Sequence, residues 1–216
     1  MKSATVTLEI RRRPDLDRLV FFAMQVTFIE PGGGGAHLGL QHHPGHPARS
    51  AVNWGGYDTR GGLLSGSDSL LPSSPDDVNT RDYRWHDGVP YRLSIERGDQ
   101  VDGGRYAWRG SITDVETGTA THIRDLYSAS AFLRAPVVWV ESFAPCDAPR
   151  SEVRWSDASV VTEADDVRPV TAMRADYQPH AAGGCTNTNS VLDGEAFVQR
   201  TGQLRTTKSG TTLVIH

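Results

Sequence analysis

Cysteine is nearly absent from this chain: of 216 residues only Cys146 and Cys185 carry a thiol. Neither belongs to a C-x-x-C pair nor lies at ligand spacing from a histidine, which excludes dithiol redox chemistry and a structural zinc knuckle. Positive charge is not in excess either. Lys and Arg number 22 against 26 Asp and Glu, a formal net charge of −4, so the chain lacks the basic surplus that holds a phosphate backbone, and nucleic acid is not an expected partner. No apolar run approaches the ~20 residues that span a bilayer, so a membrane protein is not expected. The opening segment MKSATVTLEIRRRPDLD has no apolar stretch after its charges. The expectation is a cytoplasmic protein, or a secreted or cell-surface one whose leader has been removed.

Several motifs are missing as well. G-x-S-x-G does not occur: residues 62–66 read GLLSG, with the serine beside the second glycine, and an all-β chain offers no strand-to-helix elbow. G-x-G-x-x-G opening a helix and G-x-x-x-x-G-K-[ST] are absent, so no nucleotide cofactor is expected. Acidic loops in DTRGG and SPDDVNTRD could offer oxygen ligands, but no D-x-D-x-D-G loop is present and calcium is not expected.

What the chain has is period-two alternation from end to end, with no apolar stripe at helical spacing beyond about two turns. Gly (22) and Pro (12) suit frequent chain reversals. Ala4–Arg12, Leu19–Ile29, Ala36–His43, Ala51–Trp54, Val89–Arg97, Arg105–Val115, Thr121–Tyr127, Leu133–Phe143 and four C-terminal segments read as strands. In Leu19–Ile29, Val20, Phe22, Met24, Val26 and Phe28 share one face and Phe21, Ala23, Gln25, Thr27 and Ile29 the other, which predicts a central strand. V-E-T-G at 115–118 predicts a hairpin. The reading is a single domain over 1–216, an all-β antiparallel two-sheet sandwich of jelly-roll or concanavalin-like type, with about a dozen strands and few short helical turns. One such turn is expected where Ser74 precedes Pro75 and two acids. The irregular stretch Gly61–Asp82 is long enough to be a lid.

Cys146 (APCDAP) and Cys185 (GGCTNT) occupy loop-like contexts of the kind a disulfide ties down. A bridge would close a loop of about 40 residues, worth ~4 kcal/mol; two free thiols are the alternative. The histidines His37, His42, His43 and His46 could converge on a metal, but no carboxylate or thiol lies adjacent, and HHPGH reads more simply as a polar turn; no metal is expected.

Two constellations carry chemistry. Asn53, Trp54, Tyr57 and Asp58 fall within NWGGYD, an aromatic platform with polar rim groups of the type that binds sugar rings. Trp85 beside polar residues extends it, whereas Trp139 and Trp155, among apolar neighbours, read as core. Glu141 interrupts the apolar strand VVWVESF, where desolvation raises a carboxyl pKa toward neutrality and makes it a general acid or base candidate. An Arg-paired structural role for Glu141 is the competing reading, and the closely spaced acidic motif E-x-D-x-x-E of laminarinase-like sandwiches is absent.

GLQ at 39–41, WHDGVPYRLSI at 85–95, W-x-G at 108–110 followed by DVETG, and VESF at 140–143 resemble, over roughly residues 20–160, the bacterial family known as domain of unknown function 3472. That resemblance implies an extracellular β-sandwich in a glycan-related setting and carries no catalytic residue. The leading expectation is accordingly a lectin-like domain binding a carbohydrate or similar polyhydroxylated ligand through Gln41, His43, Asn53, Trp54, Tyr57 and Trp85. The alternatives are a glycan-active enzyme of the same fold, a glycoside hydrolase or polysaccharide lyase with Glu141 as acid or base and His43 as its partner, and a protein-interaction module.

Overall fold

The computed structural model describes residues 1–72 and 77–215, so the helical turn expected at Ser74, Pro75 and Asp76 lies outside the described residues. Those described form fifteen strands and three single-turn 3-10 segments. In chain order the strands are β1 (Ser3–Arg12), β2 (Val20–Phe28), β3 (Gly35–His42), β4 (Ser50–Tyr57), β5 (Thr80–Asp82), β6 (Pro90–Val101), β7 (Arg105–Asp114), β8 (Ala120–Ser128), β9 (Leu133–Ser142), β10 (Glu152–Val161), β11 (Val167–Pro169), β12 (Ala172–Ala175), β13 (Thr188–Asp193), β14 (Ala196–Thr201) and β15 (Thr211–Val214). One sheet runs β13-β14-β10-β1-β6-β7-β8, with β11 on β10; a second runs β5-β4-β3-β2-β9; β12 and β15 form a separate ribbon. The fold is an all-β antiparallel sandwich, as the alternation predicts.

The core follows from that alternation. Val20, Phe22, Met24, Val26 and Phe28 of β2, Leu38 and Leu40 of β3, and Val52 and Trp54 of β4 meet Val6, Leu8 and Ile10 of β1 and Leu93 and Ile95 of β6 in one buried cluster. Each such side chain contributes roughly 1.5–3 kcal/mol through removal of its apolar surface from water. Trp54 lies against β7 at Gly110, where a Cβ would come within 2.6 Å of the indole. The hairpin expected at VETG joins β7 to β8: the Asp114 amide donates to the Thr119 carbonyl, and Gly118, at φ 70°, donates to the Asp114 carbonyl.

Two expectations need correction. Trp54 and Trp85 are core residues, 0% and 1% exposed. Their polar sequence neighbours occupy the other face of the sheet or a loop, while Trp85 donates its indole N–H to the Gln41 carbonyl at 3.1 Å and stacks against the Arg13 guanidinium. Trp139 is only half-buried and points away from the core, because Val138 and Val140 take the inward positions of β9. Thr188–Asp193 forms a further strand, β13, paired antiparallel along its length with β14.

Cys146 and Cys185 form a disulfide. It ties the loop after β9 to the loop before β13, constraining the unfolded chain over a span of 39 residues by ~4 kcal/mol on the loop-entropy view. Among the described residues no helix is long and apolar enough to cross a membrane.

Candidate functional site

The site lies on the face of the smaller sheet turned away from the core. Side chains that pair across an antiparallel sheet project on the same side, so the registers set out its rows directly. Asp82 pairs with Ala51, Ala51 with Gln41, Gln41 with Phe21 and Phe21 with Glu141, one row across all five strands. The next row is Asn53, Gly39, Ala23 and Trp139, and the one beyond it Gly55, His37, Gln25 and Val137. Gly39, Ala23, Ala51 and Gly55 are small, so the middle of this face is low and the larger polar and aromatic groups stand around it.

Glu141 emerges from the edge strand β9 into a groove of about 740 Å³ lined by Gln25, His37, Tyr57, Trp139 and the disulfide loops. Among the described residues it makes no ion pair and no side-chain hydrogen bond, so the Arg-paired reading does not hold. With partial desolvation and no cation to offset it, the Glu141 carboxyl is pushed above its ordinary pKa. The other carboxyls near this face are tied down. Asp82 accepts from His46 Nδ1 at 2.6 Å. Asp77 accepts from the Thr80 hydroxyl and from the Asn79 amide at 2.8 Å. Asp176, on the far wall of the groove, is bound by Arg174 at 2.7 Å.

Gln41 stands in the Glu141 row, two strands away across Phe21, a backbone separation of roughly 10 Å that the two side chains shorten from both ends. It is 4% exposed, and its Oε1 has no hydrogen-bond partner among the described residues. Phe21 fixes the space between them through edge-to-face packing with Trp139 at 5.0 Å and with His37 at 5.6 Å. Burial pushes the His37 imidazole pKa down, against a smaller opposing pull from Asp77, which favours the neutral ring. Tyr57 closes this end, its hydroxyl accepting from Gln25 Nε2 at 3.4 Å.

The residues expected at the site are thus divided. Gln41, Asn53 and Tyr57 share the outer face with Glu141. Asn53 is bound through Nδ2 to the Thr80 hydroxyl at 2.9 Å. His43 is not in the Glu141 groove; it packs edge-on against His46, ring centres 4.5 Å apart, and its Nδ1 accepts from the Gly45 amide, which removes it as the partner of Glu141. His42 turns inward and binds the Leu16 carbonyl. Among the described residues no three His, Cys, Asp or Glu side chains gather as a metal site. Gln25, His37 and Trp139 line the groove but were not expected there; the signal that could have found them is their shared alternation parity with Glu141 and Gln41 on adjoining strands.

No protein-family model and no curated protein matches the chain. Among solved structures it is similar to scytalido-glutamic peptidase bound to a peptide-based transition-state analogue, at 10% identity and TM-score 0.49 over 92% of this chain and 91% of that one. It is similar also to SCP-B, a member of the eqolisin family of peptidases, in complex with the tripeptide Ala-Ile-His, at 10% identity and TM-score 0.47 over 92% and 90%. The lectin-like expectation is corrected by the packing itself: its Trp54 and Trp85 platform is buried in the core and offers no face to a sugar ring.

Proposed function

We propose that the chain is a hydrolase that cleaves amide bonds of polypeptides, with Glu141 as general base and then general acid and Gln41 as the donor that receives negative charge on the substrate oxygen. The observation that carries the reading is the Glu141–Gln41 row: among the described residues, one unpaired carboxyl of raised pKa at the groove and one buried carboxamide with an unpartnered oxygen, on the same face of the sheet with Phe21 between them. A water held between Glu141 and a bound carbonyl carbon gives its proton to the carboxylate as its oxygen bonds to that carbon. The carbonyl oxygen takes the charge, and the Gln41 Nε2–H donates to it. Collapse breaks the C–N bond, and Glu141 returns the proton to the leaving nitrogen. Glycosidic cleavage in its usual form needs two working carboxyls, and Asp77, Asp82 and Asp176 are each engaged by other groups, which favours the amide. The solved structures named above are peptidases; for this chain the reading rests on the carboxyl and carboxamide pair. The disulfide supports a secreted setting, where such bonds persist.

The test is hydrolysis of denatured casein, and in parallel of a polysaccharide panel, by the wild type and by Glu141→Gln and Gln41→Ala. Loss of a general acid–base costs ~10²–10⁴ in rate and loss of an oxyanion donor ~10²–10³, with folding unchanged by circular dichroism. Cleavage of the polysaccharides alone, or casein cleavage surviving Glu141→Gln, overturns the proposal.

A further inference from the structure

The edge of β9 bears directly on what lies in the groove. The Phe143 amide donates to the Leu19 carbonyl, which makes Leu19 and Phe143 a hydrogen-bonded pair. By alternation Glu141, Trp139 and Val137 also direct their N–H and C=O groups toward β2. Val138, Val140 and Ser142 direct theirs the other way. β9 ends the sheet order, and among the described residues no backbone or side-chain group bonds the N–H or C=O of any of these three. Val138 and Val140 are nevertheless partly buried against the core cluster.

These groups do not face open water. Val138, Val140 and Ser142 all line the groove that holds Glu141. Val138 and Trp139 also line a second, mostly apolar cavity of about 590 Å³ between the sheets, and Asp176, Ser190 and Gln199 line both. The two spaces therefore join into one slot along β9, walled on its far side by β12, β13 and the disulfide loops. Its docking length is bounded at one end by Pro136, the preceding residue of the outward set, which has no N–H to offer. It is bounded at the other by the loop beginning at Phe143.

We infer that the β9 edge is a strand-addition site for an extended polypeptide, anchored by the N–H and C=O groups of Val138, Val140 and Ser142 over about 13 Å. An unpaired strand edge is an aggregation hazard that proteins ordinarily block; here it is walled rather than capped, leaving room for one strand. Regularly spaced alternating donors and acceptors match another peptide backbone, and a glycan has no such repeat. The anchored strand runs about 4.8 Å from the backbone of Glu141, and its continuation turns onto the outer face over Phe21, toward Gln41. The inference rests on the reading of the groove as a polypeptide-cleaving site, and names how that substrate is gripped.

The test uses the full-length Glu141→Gln protein and a pooled library of synthetic octapeptides. The expected result is saturable binding with amide exchange at Val138, Val140 and Ser142 slowed at least about tenfold, while exchange in β6 is unchanged. Methylating the peptide nitrogens that face β9 weakens binding about tenfold per hydrogen bond lost, and methylating the alternate nitrogens does not. Ser142→Pro removes one outward N–H at an exposed position without touching the β2 ladder, and weakens binding likewise. Equal binding of both methylated series, or protection confined to other strands, overturns the inference. So does concentration-dependent protection without peptide, which would assign the edge to a second copy of the chain. If the wild type binds peptides at this edge but cleaves none, the proposed function fails and the edge assignment stands; cleavage without edge protection has the opposite meaning.

Discussion

Gly110→Ala separates a core role for Trp54 from any binding role. The added Cβ would fall 2.6 Å from Cγ and Cδ1 of the Trp54 indole and 2.7 Å from its Nε1, well inside contact distance. The Trp54 ring is wholly buried and cannot swing aside without moving neighbours packed at interior density. Overpacking of this kind costs ~1–3 kcal/mol, against a gain of ~0.5–1 kcal/mol from replacing glycine in a strand, so clash wins and the net effect is destabilising. Trp54→Val alone leaves a cavity and costs on the order of 3 kcal/mol, but it also vacates the space that the methyl added at position 110 needs. The two changes therefore couple, and the double variant is more stable than the sum of the singles by ~0.5–3 kcal/mol. Urea unfolding followed by far-ultraviolet circular dichroism, insensitive to the lost tryptophan, measures all four proteins. A neutral Gly110→Ala, or strict additivity, would refute the packing argument and return Trp54 to the surface.

Other outcomes follow from the same structure. Reducing the Cys146–Cys185 bridge, or replacing both residues with serine, lowers stability by up to ~4 kcal/mol, read as a fall in Tm; an unchanged Tm contradicts a bridge that constrains the unfolded chain. Burial pushes the Tyr83 phenol up to about 12, so unfolded Tyr83 ionises before the folded residue does, and stability declines as pH rises from the ordinary phenol range toward 12. Burial raises the Tyr91 phenol as well, so ultraviolet titration should show late phenols whose amplitude Tyr83→Phe reduces. His37 is shifted the other way by burial. The unfolded chain takes up that proton first, and stability falls as pH drops through the ordinary imidazole range, an effect His37→Gln should diminish.

Much of the fold is legible because a sandwich core imposes a period of two. The outward and inward sets of β2 and β3, including Gln41 opposite Leu40, follow from alternation alone. The aromatic assignments fail for a physical reason: polar neighbours of Trp54 and Trp85 say nothing about the face each indole takes. Asn53 and Gly55 flank Trp54 in sequence yet belong to the opposite side of the sheet. Glu141 was recognisable as an anomalous charge in an apolar strand. Its pairing with Gln41 was not, since it depends on β3 and β9 flanking the same strand, a long-range register that no local pattern encodes. The same holds for His43, whose parity matches Gln41 but whose ring is captured by the turn it opens.

The central claim is tested most directly by digesting an unfolded polypeptide in ¹⁸O-water with the wild type and with Glu141→Gln, and identifying the new termini by mass spectrometry. The account predicts new carboxyl termini carrying ¹⁸O with the wild type and none with the variant, the yield falling as acid protonates Glu141. Intact polypeptide with both proteins, or equal cleavage by the variant, would contradict it.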